Sequence, residues 1–175
     1  MTFPTLGDVL ALPAFADAEL LSGSSRLNEP VTWVHVAEVM DEWRFLSGGE
    51  LLLSTGVELS RATADERVAY LRSLAEAGAA GLVLELVQWL KEVPPEMLQT
   101  ARLLEFPLAA FYHEVRFADL TRAAHQRILR PHVPTAGEPA LDALLDSLVE
   151  TGRAAAFVEN QLGTLLALPG RPRGT

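Results

Sequence analysis

Six residues carry most of the chemistry this sequence offers: Glu38, Ser54, Thr55, Gly56, Glu85 and His113. Each lies at or just past the end of a short apolar run. Glu38 follows VTWVHV, Ser54–Gly56 close ELLLSTG, Glu85 closes GLVLE and His113 follows PLAAFY. Their groups complement one another. Carboxylates accept N–H bonds, hydroxyls donate, glycine leaves its backbone open to close approach, and an imidazole titrates near neutral pH. Trp33 and Trp43 add flat faces for stacking. Such a set suits the binding of a small polar molecule. The same residues also read as plain structure, with Thr55–Gly56 a strand-ending turn and Glu85 a solvated loop residue.

Reactive chemistry is scarce. Cysteine is absent, which removes disulfides, thiolate metal sites and cysteine nucleophiles together. There is no GxSxG elbow, no GxGxxG and no phosphate loop ending in Lys-Ser or Lys-Thr. Gly48–Gly49–Glu50 fits a tight turn that launches a strand better than an anion cradle. The histidines are His35, His113, His125 and His132, and none of their pairs has HExxH or HxH spacing. His35, mid-strand among apolar neighbours, reads as a hydrogen-bonded core or edge residue. No catalytic residue, metal site or cofactor is assigned, and the chain is not expected to be an enzyme.

Charge and hydropathy exclude further classes. The formal net charge is −9, from 14 Lys and Arg against 23 Asp and Glu. An acidic chain repels phosphate backbones unless its basic residues are segregated. Arg122, Arg127 and Arg130 share one expected helix, and Arg171 and Arg173 sit in a Pro/Gly tail. Neither group is a DNA-reading pattern. No apolar run reaches the ~18 residues of a spanning helix. The opening MTFPTLGDVLALPAF carries Asp8 and no basic leader. A cytoplasmic location without membrane attachment is expected.

The elements that must position the six residues follow from periodicity. Val31–Val36, Glu50–Ser54, Gly81–Glu85 and Pro107–Tyr112 read as strands, and Ala18–Leu21 as an edge strand. ELLLS and GLVLE are continuous apolar runs, as strands covered on both faces require. Thr63–Glu66 is a capping box, Ala64, Val68, Leu71 and Ala75 follow at helical spacing, and Gly78 supplies the stop. Pro94–Pro95 opens the next helix, with Met97, Leu98, Ala101 and Leu104 inward. Thr5–Leu12 reads as a short leading helix, and Phe117, Leu120, Ala124 and Ile128 share a face of a helix running to about Arg130. Strands alternating with helices imply an α/β fold, a mostly parallel central sheet of about four or five strands flanked by helices. In such sheets ligands bind beyond the carboxyl ends of the strands, where the six residues fall.

The texture changes after that helix. Residues 1–130 are expected to form one domain, 131–138 (PHVPTAGE) a linker, and 139–175 a helical C-terminal tail. Leu141, Leu144, Leu145 and Leu148 make a narrow stripe, and Ala154–Leu168 reads as a last amphipathic helix. A short tail buries such a stripe poorly alone. Its leucines are the expected dimerisation residues, in a homodimer.

An ordered series of motifs adds a family likeness. TLGDVLALP, PVTWVHVAEV, FLSGGELLLSTG, LAEAGAAGLVLEL, EVPPEMLQTARLLEFPLAAF and VRFADLTRAAHQRIL occur in that order over roughly residues 3–130. The series resembles the N-terminal domain of the PucR family of bacterial transcription regulators. The resemblance implies a sensory or regulatory domain for a purine-related or other metabolite, or for a partner domain. It also implies that DNA is bound only through a C-terminal helix-turn-helix that this chain lacks. A fainter similarity, to the N-terminal domains of HPr kinase and Mur ligases, is one of fold and implies no activity. A ligand-free structural dimerisation module is the alternative.

Overall fold

The computed structural model describes residues 3–130, which lie within the first of the chain's two units, Met1–His132. The expected linker (131–138), the tail (139–175) with Leu141, Leu144, Leu145 and Leu148, and His132 lie outside the described residues.

Five strands form one sheet: β1 (Glu19–Ser22), β2 (Trp33–Val36), β3 (Glu50–Ser54), β4 (Gly81–Glu85) and β5 (Leu108–Phe111). Their spatial order is β1-β5-β4-β3-β2. The four strands from β2 to β5 are parallel, and β1 joins the far edge antiparallel to β5. The α/β class, the mostly parallel sheet and the edge strand agree with the sequence reading. β2 begins at Trp33, two residues later than VTWVHV suggests, because the Val31 amide donates to Pro4 O at 2.8 Å instead of joining the ladder.

Five helices accompany the sheet: α1 (Leu6–Leu10), α2 (Val57–Arg61), α3 (Ala64–Glu76), α4 (Pro95–Leu103) and α5 (Phe117–Leu129). The expected capping box closes at the start of α3. Thr63 N donates to Glu66 Oε2 at 2.8 Å, and Glu66 N donates to Thr63 Oγ1 at 3.3 Å. A second box, from Thr5 and Asp8, starts α1. The turn α2 has no counterpart in the sequence reading, since five residues are too few to show a helical period.

Alternation along each strand assigns its side chains to two cores. Leu52, Leu82 and Leu84 pack with Leu71 and Leu74 of α3 and Met97 and Ala101 of α4. Leu51, Leu53 and Val83 pack on the opposite face with Leu6 and Val9 of α1 and Leu120 and Ala124 of α5. Each leucine so buried contributes about 1.5–3 kcal/mol. The parallel strands run in simple succession, and α3 and α4 cover the same face. No reversal of strand order splays neighbouring loops into the crevice of a doubly wound sheet.

Candidate functional site

Four of the six residues meet at one sheet corner. β2 leads through Ala37 to Glu38, and β3 ends at Ser54. Glu38 Oε1 accepts from Thr55 N at 2.8 Å, and Oε2 accepts from Thr55 Oγ1 at 3.0 Å and Ser54 Oγ at 3.2 Å. Ser54 Oγ in turn accepts from Gly56 N at 3.0 Å. Gly56 stands at φ +77°, where a Cβ would lie 2.7 Å from Leu90 Cδ1. Left-handed backbone and close approach both require glycine here. The result is a hydrogen-bonded knot joining the exit of β2 to the β3–α2 turn, with three of its donors satisfied by the Glu38 carboxylate and the fourth by Ser54 Oγ.

Glu85 and His113 stand apart from it. Ser54 shares the parity of Leu52 and faces α3 and α4, whereas Glu85 shares the parity of Val83 and faces α5. Buried Glu85 accepts from Val115 N at 2.9 Å, which fixes the loop entering α5. Exposed His113 lies 3.3 Å from Asp17 Oδ2 and edge-on to Phe111. The Gly48–Gly49 turn is closed from within: Glu50 accepts from Ser47 N at 2.7 Å and Gly48 N at 2.9 Å. Among the described residues no three His, Asp or Glu are grouped to hold a metal ion, and no helix is long and apolar enough to cross a membrane.

Beside the knot lies an open cleft of about 500 Å³ that sequence reasoning missed. Met40 and Trp43 of the β2–β3 connection form one wall, and Glu58, Arg61, Glu66 and Tyr70 of α2 and α3 line the rest. Glu42, between the two wall residues in sequence, has a buried Oε2 with no hydrogen-bond partner. Burial first, then the nearby charges of Glu38 and Asp41, push its carboxyl above the usual range. The Tyr70 phenol is pushed up as well, by burial and then by Glu42 and Glu38. Arg61 is already engaged, 3.4 Å from Glu58 Oε1 and 5.7 Å from the Trp89 ring centre. Glu66 is held below the usual range by its bonds from Thr63.

The other side of β2 meets α5. His125 Nε2 lies 2.6 Å from Val34 O, and because a carbonyl only accepts, Nε2 carries the proton. The ring stacks on Trp33 at 3.9 Å. α5 is thereby fastened to the strand that leads to Glu38. His35, on the same strand, is half-buried and its Nε2 has no hydrogen-bond partner among the described residues.

A family model described as purine catabolism regulatory protein-like, PucR, matches residues 8–128. The chain belongs to that family. This PucR-family chain is 29% identical over 122 residues to the purine catabolism regulatory protein of Bacillus subtilis, a match covering 70% of this chain and 23% of that protein. It is 29% identical over 104 residues to the transcriptional activator PmfR of Paenarthrobacter nicotinovorans, covering 59% of this chain and 22% of the relative. The chain thus matches less than a quarter of the length of either. Proteins of the PucR family are transcriptional regulators, not enzymes, in agreement with the sequence reading. Among solved structures, the CBS and DRTGG domains of the regulatory region of a Clostridium perfringens pyrophosphatase match at 15% identity and a TM-score of 0.48, over 85% of this chain and 60% of that one. That likeness carries no functional argument.

Proposed function

We propose that residues 3–130 form the sensory domain of a PucR-type transcription regulator, responding to a small molecule held in the cleft beside the Glu38 knot. The effector is a metabolite, purine-related or of another class. DNA is contacted by a helix-turn-helix region separate from these residues, in a cytoplasmic homodimer. The observation that carries this reading is the cleft itself, lined by Trp43 and Tyr70 and by Met40 and Glu58, which stand two residues along the chain from Glu38 and Gly56 of the knot. Occupancy that shifts the β2–β3 connection pulls on β2, and β2 is fastened to α5 through His125. α5 is the last described helix and leads toward the rest of the chain.

A thermal-shift screen of the full chain against purines, amino acids, polyamines and nucleotides tests it. A ligand bound only by the folded state adds about 2.7 kcal/mol of stability at a hundredfold excess over its dissociation constant. A saturable rise in midpoint that Trp43→Ala abolishes supports the reading. A flat response to all classes counts against it.

A second reading, a ligand-free association module, is favoured by one observation. Trp33, Val36, Val39, Trp43 and Phe45 are all exposed, Phe45 by 80%, on the edge strand β2 and the connection after it. Sedimentation tests the second reading, because a strict monomer at high concentration removes it together with the homodimer of the first, whose ligand response the thermal-shift screen decides separately.

A further inference from the structure

Resting on the homodimer of the proposed function, we infer that the free edge of the sheet is its contact. Two copies pack side by side through Trp33, Val36, Val39 and Phe45, on β2 and the connection after it, and Leu129 of α5. β2 is the last strand of the sheet, with no strand beyond it among the described residues. Trp33 and Val36 are each 42% exposed, Val39 50% and Phe45 80%. Leu129, 65% exposed, lies one helical turn from His125, whose ring stacks on Trp33, so α5 extends the same apolar edge.

The area fits a protein partner. Scaled by their exposed fractions, these five residues leave about 500 Å² open, the size of the largest apolar patch on a monomer. A contact of standard size covers about 800 Å² on each partner, roughly 57–65% of it apolar. The edge therefore supplies about the apolar share of one such face. Two of its five residues are aromatic, the type that dominates the energy of protein contacts.

The backbone shows how the copies meet. Ala37 N donates to Leu53 O at 2.8 Å, and backbone groups alternate sides along a strand, so those of Val34, three residues earlier, point away from β3. Val34 O is already taken by His125 Nε2 at 2.6 Å, beside the stacked Trp33 ring. An extended segment has to displace that pair to add to β2 as a further strand. The edge is thus closed to strand addition and open to side-chain packing. The charges beside it select the partner. Asp41 and Arg44 are exposed in the connection, and Asp119 and Arg122 on α5. A two-fold contact sets residue i of one copy against j of the other and j against i, so a rim of both signs meets its own copy with opposite charges facing. A nucleic acid gains no such match on a chain of net charge −9.

The test is sedimentation equilibrium of the full chain over a wide concentration range, with three variants. Phe45→Asp and Val39→Asp each place a charge in the patch at a position exposed by at least half, where the fold has little to lose. Leu103→Asp does the same at a 75% exposed position of α4, which packs beside β1 at the opposite end of the sheet. Wild type is expected to dimerise. Each edge variant is expected to raise the dimer dissociation constant about tenfold or more, the scale of losing a central contact residue, and Leu103→Asp to leave it unchanged. Circular dichroism confirms that each variant is folded, and either edge variant suffices. A dimer that neither edge variant weakens overturns this contact while the homodimer stands elsewhere on the chain. Equal weakening by Leu103→Asp reveals a general effect of added negative charge and overturns it too. A wild-type monomer at every concentration overturns the homodimer and this inference together, and leaves the edge to a different protein.

Discussion

Replacing Glu38 by alanine removes the acceptor shared by Thr55 N, Thr55 Oγ1 and Ser54 Oγ. A bond to a charged acceptor contributes about 1.5–3 kcal/mol, but three bonds to one carboxylate do not add independently. Ser54 is 3% exposed, so its hydroxyl finds little water in exchange. A loss of about 2–4 kcal/mol follows for Glu38→Ala. Thr55→Val takes away one of the three bonds and costs about 1 kcal/mol alone. Because that bond is already lost in Glu38→Ala, the double variant falls short of additivity by about the same amount. Urea unfolding followed by tryptophan fluorescence is the assay, since Trp33, Trp43 and Trp89 all lie in the described residues. With a slope of about 2 kcal/mol per molar, the midpoint falls by about 1–2 M while the slope is unchanged. A Glu38→Ala midpoint within the error of wild type, or full additivity with Thr55→Val, refutes the knot.

Three further outcomes follow from the same geometry. Glu42 is raised in the folded state above its ordinary value by burial and then by Glu38 and Asp41, so its ionisation opposes folding: the cost is absent in acid, sets in as pH rises through the ordinary glutamate range, and grows until the folded-state group has ionised as well. Glu42→Gln is therefore more stable than wild type at pH 7, with the gain fading as pH falls below that range, in denaturant titrations repeated across pH; a less stable variant at pH 7 contradicts the burial argument. Gly56→Ala is expected to cost about 2–3 kcal/mol, from the left-handed backbone and from a Cβ 2.7 Å from Leu90 Cδ1, and a melting point equal to wild type shows that the turn relaxes freely. Glu105, at φ +51°, follows the C-terminus of α4 in the conformation that glycine prefers, and Glu105→Gly is expected to raise stability by up to about 1 kcal/mol in the same assay.

The fold was largely legible because its signals are local. ELLLS and GLVLE each carry three consecutive apolar residues, which requires cover on both faces, and the structure buries all ten residues of β3 and β4. The Thr63–Glu66 box and the Pro94–Pro95 start each fall within one helical turn. The site was legible only in part. Glu38 and Thr55 are 17 residues apart, and placing both at strand ends brought them together correctly. The same logic put Glu85 with them, yet strand parity sends Glu85 to the α5 face and Ser54 to the other. His113 turns toward Asp17, a partner 96 residues away that no spacing announces. The cleft left no motif, because its walls come from either side of β3 and α2 is too short to show a period. The fastening of His125 to Val34 spans 91 residues and depends on the edge position of β2, which only the strand order reveals.

The most direct test of the regulatory reading exchanges residues 1–132 for the matching segment of the Bacillus subtilis relative and reads a promoter which that regulator controls. The account predicts that the chimera answers to a signal of its own, and that Trp43→Ala abolishes the answer while leaving the protein folded and as abundant as before. Expression that is the same with the exchanged domain, with its Trp43→Ala variant and with the domain deleted contradicts it.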